Sequence, residues 1–536
     1  MALIPLHPAS ALVPGMTAQE RDGSRVYQVL PRPRTARSRH PEEPLGPAAL
    51  GSFLKDLRKW SSKLMKRTSD AHLWVVLLVI LVGAALRISG IGQPITHDEA
   101  LSYTRFSGRS YHTVFTDLSY PVNHVLHSAL VRLSTSIFGL HLWSLRLPAL
   151  LAGILVLPLF YAFVRSMFNR YIAIMALGLV AGSGCLIEAG SIAQGYSICW
   201  LCYITALMLG RHLVRTNNIV TAVLLSTVLA LGMWSLPTGL YIALSVLGWT
   251  FIQISVKYRV SLNRRLGMLL FSGVLFVAMV VLLYLPIIST YGTAALFHHP
   301  AMGQSNWDVF LAGHQDGAFD LWAYFNGTAA TWISLLGMAG MVFSMYISSK
   351  FRLLAFSLAL ASIPMVVVLT RVGEPVEWAH LLFLFNLSSA IALFYLLKAV
   401  QERVYTGFTK RLRTVLATLV LLVGMGYLGM KGIQDRLERF PEAIYAADWL
   451  KGILHADDRI LVQYPWIAPL EFHMMAEGMD LGTLRNDPAK AVYVLVGPGD
   501  GQTLQEVLAR QRYGGVVREP LEKVKDWRRL EIYGTD

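Results

Sequence analysis

Asp98 and Glu99 form an acidic pair soon after an apolar run, within the segment Thr96-His97-Asp98-Glu99-Ala100. A carboxylate in such a position can serve as a general base if it is ionised and within hydrogen-bond reach of the proton that it removes. The pattern Thr96-x-x-Glu99 is also that of a capping box, in which acidic residues in the first turn stabilise a helix. The pair therefore predicts a helix start, a catalytic base, or both, because a helix N-terminus keeps a carboxyl group charged.

A second polar group, Asn123, His124 and His127, follows in the same connection between apolar runs. Pro121 suits the first turn of a helix and Gly139 suits its end, so we expect a helix between them. Apolar residues repeat along one face of this helix, which predicts that it lies along the outer membrane interface. A metal site would need more ligands than this group supplies, so the residues favour hydrogen bonding or substrate contact near the acidic pair.

The composition predicts that these polar groups lie between membrane-spanning helices. Of 536 residues, 54% are hydrophobic and only 15% are charged, against about 25% charged residues in a typical soluble protein. The mean hydropathy is +0.49. These values exclude disordered, fibrous and ordinary cytosolic proteins. A spanning helix needs about 20 apolar residues, and the sequence predicts eleven spans, at 73–91, 145–166, 170–187, 194–211, 218–235, 238–256, 266–290, 326–348, 352–370, 381–398 and 413–430.

The distribution of Lys and Arg predicts the orientation of the chain. Basic residues collect in every second short loop, whereas the large outer loop at 291–325 has none and the loop at 371–380 has only Arg371. Because Lys and Arg favour the cytoplasmic side, we expect a cytoplasmic N-terminus and an extracytoplasmic C-terminus. As a separate expectation, the membrane is the inner (plasma) membrane of a bacterium. The net charge of +14 is then explained by orientation, which argues against nucleic-acid binding.

Four regions follow from these patterns. Residues 1–49 are rich in Pro, Arg and Ser and predict a disordered cytoplasmic tail, and residues 50–67 predict an amphipathic helix on anionic lipid head groups. Residues 68–430 form the transmembrane part, with a first outer loop at 92–144. Residues 431–536 predict a small outer α/β domain. Its predicted elements are a helix at 441–454, strands at 459–463, 491–496 and 530–533, and a helix at 504–511.

Several motifs in the transmembrane part have a specific order and spacing. They are Asp98-Glu99-Ala with a following Tyr103, Pro121-Val-Asn-His124-Val-Leu-His, Leu145-Arg146-Leu-Pro148, and Ile192-Ala-Gln194-Gly-Tyr196-Ser. Together they resemble the C-type (GT-C) polyprenol-phosphate-dependent membrane glycosyltransferases, in the protein O-mannosyltransferase and aminoarabinose-transferase-like branch. The resemblance covers about residues 73–400 in arrangement, and the outer C-terminal domain also fits it.

The resemblance implies an enzyme that moves a hexose or pentose from a polyprenyl-phosphate-linked donor to an acceptor hydroxyl on the outer face, with inversion at the anomeric carbon. Asp98 corresponds to the base that deprotonates the acceptor, and Glu99 to the neighbour that orients acceptor or base. No cofactor is required, and a divalent metal is not indicated. The expected partners are the lipid-linked sugar donor, an acceptor glycan, lipid or protein, and membrane lipids, but not nucleic acid.

Gln194 stands where the family often has Arg, so a cation that would hold the donor phosphate is missing there. The leaving phosphate still needs positive charge or hydrogen-bond donors. We favour Arg371 and His380 for this role, because the last outer loop faces the first in the family's fold. The candidate substrate-binding residues are His97, Tyr103, Arg105, Asn123, His124, His127, Gln194, Tyr196, Arg371 and His380.

Two other classes of function stay open from the residues. A transporter, or a lipid or glycan flippase, carries ionisable residues or paired Gly and Pro breaks near mid-membrane, whereas here acidic residues are almost absent from the centres of the predicted spans. A non-catalytic membrane scaffold that displays the C-terminal domain would not need the elaborate first outer loop. The sequence favours the transferase but identifies neither its sugar nor its acceptor.

Overall fold

The chain from Pro44 to Asp536 forms one compact unit. The computed structural model describes residues 47–66, 70–120, 122–297, 307–326, 331–357, 374–403, 420–428, 437–484, 489–510 and 521–534. Most of the predicted tail at 1–49 lies outside the described residues, as do parts of the predicted spans at 352–370 and 413–430.

The described residues before residue 404 are mostly helical. The helices are α1 (Pro47–Lys66), α2 (Asp70–Ser89), α3 (His97–Ser102), α4 (Tyr111–Thr116), α5 (Val125–Phe138), α6 (Leu142–Met167), α7 (Arg170–Ala181), α8 (Gly184–Glu188), α9 (Tyr196–Thr216), α10 (Ile219–Ser235), α11 (Gly239–Lys257), α12 (Leu262–Phe297), α13 (Trp307–Asn326), α14 (Thr331–Ile347) and α15 (Leu381–Arg403). A π-helical turn, Tyr103–Ser107, follows α3. Helix α1 corresponds to the helix predicted at 50–67.

Among the described residues, six helices are long and apolar enough to cross a membrane, namely α2, α6, α9, α11, α12 as far as Thr293 and α15 as far as Ala399. They match six of the predicted spans in position. The predicted spans at 170–187 and 218–235 correspond to shorter apolar helices, α7 with 12 residues and α10 with 17. Helix α7 stops at Gly182, where another backbone segment comes so near that a Cβ would lie 2.8 Å from the Met425 Cα. The total of eleven spans stays a prediction.

Helix α5 begins at Val125 rather than near Pro121, so the predicted start of this helix is wrong. The side-chain amide of Asn123 donates to two backbone carbonyls of the preceding segment, at 3.0 and 2.7 Å, and holds the residues before the helix in a turn. His124 is the N-cap residue. The polar helical face that we expected from Asn123, His124 and His127 is therefore not formed, because only His127 lies on the helix.

Close helix packing places the first outer loop. A Cβ at Gly83 of α2 would lie 2.9 Å from both Ala181 of α7 and Leu157 of α6, so α2 approaches these helices only because this residue has no side chain. Small residues allow the same close contact between helices in membranes generally. The end of α2 is thereby fixed against α6, and the connection that carries the acidic pair begins there.

The C-terminal part contains a four-stranded sheet with the order β1-β2-β4-β3. Strands β1 and β2 are parallel, and the other two neighbouring pairs are antiparallel. Strand β3 was not predicted because it is a polar edge strand without apolar alternation, and α17 was also missed. The elements are α16 (Glu442–Ile453), β1 (Arg459–Leu461), α17 (Ile467–Ala476), β2 (Val492–Val496), α18 (Leu504–Arg510), β3 (Glu522–Asp526) and β4 (Glu531–Gly534).

This C-terminal part is joined directly to the start of the first outer loop. Thr96 and Arg439 form an isolated antiparallel bridge. The Phe440 N–H donates to the Ile95 carbonyl at 3.1 Å, and the Arg439 guanidinium donates to the Pro94 carbonyl at 3.0 Å. Helix α17 also packs against α3. The acidic pair therefore lies where the transmembrane and C-terminal parts meet.

Candidate active site

A cavity of ≈ 230 Å³ opens beside the start of α3. Five parts of the chain form it: the first outer loop, the segment from the end of α8 to the start of α9, Tyr324 of α13, residues 374–376 before α15, and the C-terminal part. Its lining residues are Thr96, His97, Asp98, Glu188, Ala189, Ile192, Gln194, Tyr196, Tyr324, Glu374, Val376, Leu437, Glu438, Phe440, Tyr464 and Pro465.

Asp98 is the member of the acidic pair that faces the cavity. Its side chain is exposed to the cavity but surrounded by the cavity walls, and this partial desolvation raises the pKa of its carboxyl group above the ordinary value. His97 acts to lower this pKa, Glu99 acts to raise it, and a hydrogen bond from the Gln194 side chain acts to lower it. Asp98 is thus an accessible carboxylate whose pKa is moved towards neutrality, as suits a general base.

Glu99 is fully buried and faces away from the cavity. It completes the predicted capping box: the Thr96 N–H donates to Glu99 Oε2 at 3.1 Å, and the Glu99 N–H donates to the Thr96 hydroxyl at 3.3 Å. Its Oε1 accepts a hydrogen bond of 2.7 Å from the Ala193 N–H. Glu99 therefore fixes the helix that carries Asp98 to the α8–α9 connection, and in this structure its carboxylate is not placed to touch an acceptor.

Arg146, the partner of Glu99, was not assigned a role from the sequence. Its Nε donates to Glu99 Oε1 and its Nη2 to Glu99 Oε2, both at 2.7 Å. Its remaining donors bind the carbonyls of Ile91, Gln93 and Pro94 at 2.8, 2.6 and 3.2 Å. The side chain is fully buried. In the sequence, the feature that could have indicated this role is that Arg146 is a single charged residue near the start of the apolar run at 145–166.

The Glu99–Arg146 pair fixes the charge of Glu99 as well as its position. Burial alone would raise the pKa of the Glu99 carboxyl, but the charge and hydrogen bonds of Arg146, with the backbone N–H groups of Ala193 and Thr96, hold it below its usual value. All five N–H donors of a guanidinium can be satisfied by such a set of oxygens. The loop from residue 91 to residue 99 is consequently fastened to α6 through a single side chain.

The cavity walls are acidic. Besides Asp98, the lining includes Glu188, Glu374 and Glu438, and no Lys or Arg is present among the described lining residues. Glu438 forms an ion pair with Arg529. Among the nearby carboxylates, Glu99 acts to raise the pKa of Asp98, in the same direction as the partial desolvation of Asp98.

A network in the C-terminal part supports one wall. Arg529 pairs with Asp500 as well as with Glu438, and the Trp466 indole donates to the Asp500 carboxylate at 2.7 Å. Trp466 follows Pro465, which lines the cavity. Arg529 therefore holds two separate lining segments together, although it does not itself line the cavity.

Three of the predicted substrate-binding residues, His97, Gln194 and Tyr196, line the cavity. The Nδ1 of His97 is 2.9 Å from the Pro465 carbonyl oxygen, and its ring packs edge-on against Tyr464 with 4.7 Å between the ring centroids. These contacts place the predicted residues of the first outer loop against a C-terminal wall that the sequence did not indicate.

Four other predicted residues lie outside the lining. Tyr103 packs against Phe472. Arg105 forms an ion pair of 3.1 Å with Glu471 of α17, and the Asn123 amide is used in the turn before α5. The Nδ1 of His124 accepts a hydrogen bond of 2.8 Å from the Gly195 N–H. These side chains stabilise the surroundings of the cavity in the structure and do not enter it.

Two predicted histidines are buried away from the lining, and Arg371 lies outside the described residues. His127 is buried, and neither of its ring nitrogens has a hydrogen-bond partner in the described part of the chain. His380 packs between Tyr203 and Trp378. Its Nδ1 is 3.1 Å from the Glu377 carbonyl oxygen.

The described residues contain no group of three or more His, Cys, Asp or Glu side chains arranged to hold a metal ion. The carboxylates of the cavity are thus spread around its walls. The chemistry that their arrangement allows is proton transfer to Asp98 from a hydroxyl group bound in the cavity.

Residues 123–284 match the family described as dolichyl-phosphate-mannose-protein mannosyltransferase. No sequence match was found among curated proteins. The chain is similar in fold to ArnT from Cupriavidus metallidurans bound to undecaprenyl phosphate, with 13% identity, a TM-score of 0.55, and coverage of 86% of this chain and 97% of that one. The apo state of the same protein has 13% identity to this chain and a TM-score of 0.54, and the match covers 87% of this chain and 98% of that one.

The structural comparisons show a shared helical fold, and the family match is to the central segment at residues 123–284. The chain matches ArnT over nearly its whole length in fold, and the match with the mannosyltransferase family includes α5 to α11 and most of α12. The resemblance to the C-type polyprenol-phosphate-dependent glycosyltransferases that the motifs indicate in the sequence is therefore confirmed.

Proposed function

We propose that this protein is a membrane glycosyltransferase that moves a sugar from a polyprenyl-phosphate-linked donor to an acceptor hydroxyl, with Asp98 as the general base. The observation that carries the proposal is the division of the acidic pair. Asp98 faces the cavity and its carboxyl has a raised pKa, whereas the Glu99 carboxylate is bound in a buried ion pair with Arg146. The confirmed family resemblance supports the same class of reaction.

In the proposed reaction the acceptor hydroxyl donates a hydrogen bond to Asp98 and loses its proton to this carboxylate as it attacks. The acceptor oxygen forms a bond to the anomeric carbon of the donor, on the face opposite the phosphate. The bond between that carbon and the phosphate oxygen breaks, so the configuration is inverted and polyprenyl phosphate leaves with the bonding electrons. Base catalysis of this kind contributes about 10²–10⁴-fold to the rate.

The phosphate of the sugar donor needs a cation, but the charged residues of the described cavity lining, apart from histidine, are carboxylates. Arg371 stays our proposed phosphate ligand from the sequence. His380 stays proposed as a second phosphate ligand that donates a hydrogen bond, since its Nε2 has no hydrogen-bond partner among the described residues. The sugar is a hexose or pentose, and the acceptor is a glycan, lipid or protein.

The proposed location is the inner membrane of a bacterium, with the cavity on the extracytoplasmic side. The support is the positive-inside pattern of the loops. The loops at the helix ends away from Asp98 carry Arg165 and Arg170, and Arg211 and Arg215, whereas the segments at 188–193 and 236–237, on the side of Asp98, contain no Lys or Arg.

The experiment that tests the proposed function uses the purified full chain in lipid nanodiscs with a panel of polyprenyl-phosphate sugars, and extracts from a deletion strain as the source of acceptors. Transfer releases polyprenyl phosphate and yields an acceptor whose mass is increased by one sugar, both measured by mass spectrometry. A flippase would move the lipid between leaflets without either product. Failure of every donor to yield polyprenyl phosphate would contradict the proposal.

A further inference from the structure

A second cavity, of ≈ 590 Å³, lies at the ends of the helices opposite to Asp98. Its walls come from the ends of α6, α9 and α11 and from the residues that follow α14. Helix α9 connects the two cavities, since Tyr196 at its start lines the first and Arg215 near its end lines the second. At 1.5 Å per residue the two positions are roughly 30 Å apart, which is the thickness of the hydrocarbon core. The second cavity is therefore at the other membrane face.

The lining of this cavity is strongly basic. It includes Arg211, Arg215, Lys257, Lys350 and Arg352, and the described lining residues contain no Asp or Glu. The acidic residue of α1 in this neighbourhood, Asp56, is 3.6 Å from the His212 ring and does not line the cavity. Like charges at the edge of a low-dielectric region repel one another, so this arrangement favours a bound anion.

Helix capping explains some of these basic residues without a ligand. Lys350 Nζ donates to the Met167 carbonyl at 2.7 Å, and Arg352 donates to two carbonyls at the end of α14, at 2.8 and 3.0 Å. Such contacts satisfy free carbonyls at helix C-termini.

Arg215 and Lys257 are not explained in this way. Lys257 Nζ donates to the Gln253 side chain at 2.8 Å, and neither residue caps a backbone carbonyl in the described part of the chain. Both lie in the last turn of their helices, where a positive charge also favours the helix dipole, and both bring a charge into the same cavity without being held there by a backbone carbonyl of the described residues.

The mouth of the cavity has an exposed apolar rim. Val256 and Phe356 line the cavity and are nevertheless 64% and 65% exposed. A ligand with a phosphate among the basic residues can thus lay hydrocarbon chains against these two side chains. A soluble anion would use only the basic part and gain nothing from the apolar mouth.

We propose that this second cavity binds the phosphate head group of an anionic membrane lipid in the leaflet opposite to the Asp98 cavity. Basic pockets between membrane helices bind such head groups through the charge of the phosphate. By the orientation argued from the loops, this leaflet is the cytoplasmic one. The proposal rests on the cavity, its charge and its apolar mouth, and it does not depend on the transferase reaction.

Native mass spectrometry of the full-length protein in detergent tests the proposal, with added phosphatidylglycerol compared with phosphatidylcholine. We expect phosphatidylglycerol to be retained and phosphatidylcholine to be lost. The variant Arg215→Gln with Lys257→Gln should weaken retention about tenfold or more, since each basic residue near a membrane surface adds to the attraction for an anionic lipid. Lys350 and Arg352 keep their contacts with helix carbonyls in this variant, and Arg211 keeps the hydrogen bond of 2.6 Å that its Nη1 donates to the Ser166 hydroxyl.

The matched control is Arg259→Gln with Arg264→Gln, which removes two exposed positive charges that lie neither in α1 nor in the lining of the cavity. It should retain phosphatidylglycerol as the parent does. Equal retention by the two double variants, or equal retention of both lipids by the parent, would overturn the proposal. Displacement of phosphatidylglycerol by millimolar inorganic phosphate would also overturn it, because the site would then recognise a soluble anion. Thermal unfolding of both double variants verifies that they are folded.

Discussion

Asp98 and Glu99 are neighbours in the chain with opposite surroundings: Asp98 lines a cavity, while Glu99 is fully buried. The difference follows from the first turn of α3, which points consecutive side chains in different directions. Arg146 holds Glu99 with two hydrogen bonds of 2.7 Å, and this contact sets where Asp98 stands. One acidic residue thus positions the other.

We expect Glu99→Gln to lower the free energy of unfolding by about 3 kcal/mol, because it leaves the Arg146 guanidinium buried without a counter-charge. Gln can still form the capping box, so the loss reports the ion pair. Thermal or denaturant unfolding of the purified protein measures it. Asp98→Asn is the matched control and should not destabilise, since a raised folded-state pKa means that the ionised Asp98 costs stability at neutral pH. Equal unfolding transitions for the two variants would contradict this account.

Acid should weaken the same pair. The folded-state pKa of Glu99 lies below its ordinary value of 4.5, so the stability that the ionised group contributes is fully present above about pH 4.5. That contribution is lost as the pH falls through the lowered folded-state value. Unfolding followed between pH 7 and pH 3 should show a loss in the parent that is absent from Glu99→Gln. A parent and variant that lose stability in parallel would refute the assignment.

Activity should depend on the ionisation of Asp98, and the loss of activity in acid should begin at a higher pH than it would with an ordinary aspartate. A base must be deprotonated, and the Asp98 pKa lies above its ordinary value of 3.8. We therefore expect kcat/KM to fall on the acid side as the pH drops through this raised value. The measurement is a pH profile of kcat/KM with a saturating second substrate. A profile that stays flat down to pH 4 would exclude Asp98 as the titrating base.

Gln194→Leu should move that acid limb to higher pH. The Gln194 side chain donates a hydrogen bond to Asp98 and lowers its pKa, so removal of the donor raises this pKa further. Gln194→Asn, a shorter amide, serves as the control for loss of volume without loss of the amide chemistry. A pH profile of Gln194→Leu that coincides with that of the parent would show that the hydrogen bond does not act on the base.

Arg529→Gln should raise KM by about fivefold with little change in kcat, the equivalent of ~1 kcal/mol for a partly exposed ion pair. The reason is that Arg529 joins Glu438 to Asp500 and so holds the C-terminal wall of the cavity. Steady-state kinetics for donor and acceptor measure the effect. Lys523→Gln breaks an exposed pair with Glu531, which lies outside the cavity lining, and should leave KM unchanged. Similar KM values for the two variants would contradict the assignment.

The local features of the site could be predicted from the sequence, because they depend on neighbouring residues. The capping box of Thr96 and Glu99 and the start of α3 follow from a pattern of four residues, and apolar runs predict the long helices. Asp98 could be singled out because a carboxylate just outside an apolar run is unusual. The predicted start of α5 was wrong because the Asn123 amide stabilises a turn before the helix, and the spacing of apolar residues does not indicate such a turn.

The partners of these residues could not be predicted, because they are distant in the chain. Arg146 lies 47 positions from Glu99 and meets it only through the packing of α6. The carbonyl of Pro465, 368 positions from His97, reaches the cavity because the C-terminal part folds back onto the first outer loop. A single sequence contains no signal for either contact, and the acidity of the cavity results from such contacts.

The most direct test of the account is the rate of sugar transfer by Asp98→Asn, measured with saturating donor and compared with the parent at its optimum pH. Asn keeps the shape of the side chain but cannot take a proton. We expect transfer to fall by about 10²-fold or more, with thermal unfolding unchanged. An Asp98→Asn protein that transfers sugar at the parental rate would contradict the claim that Asp98 is the base.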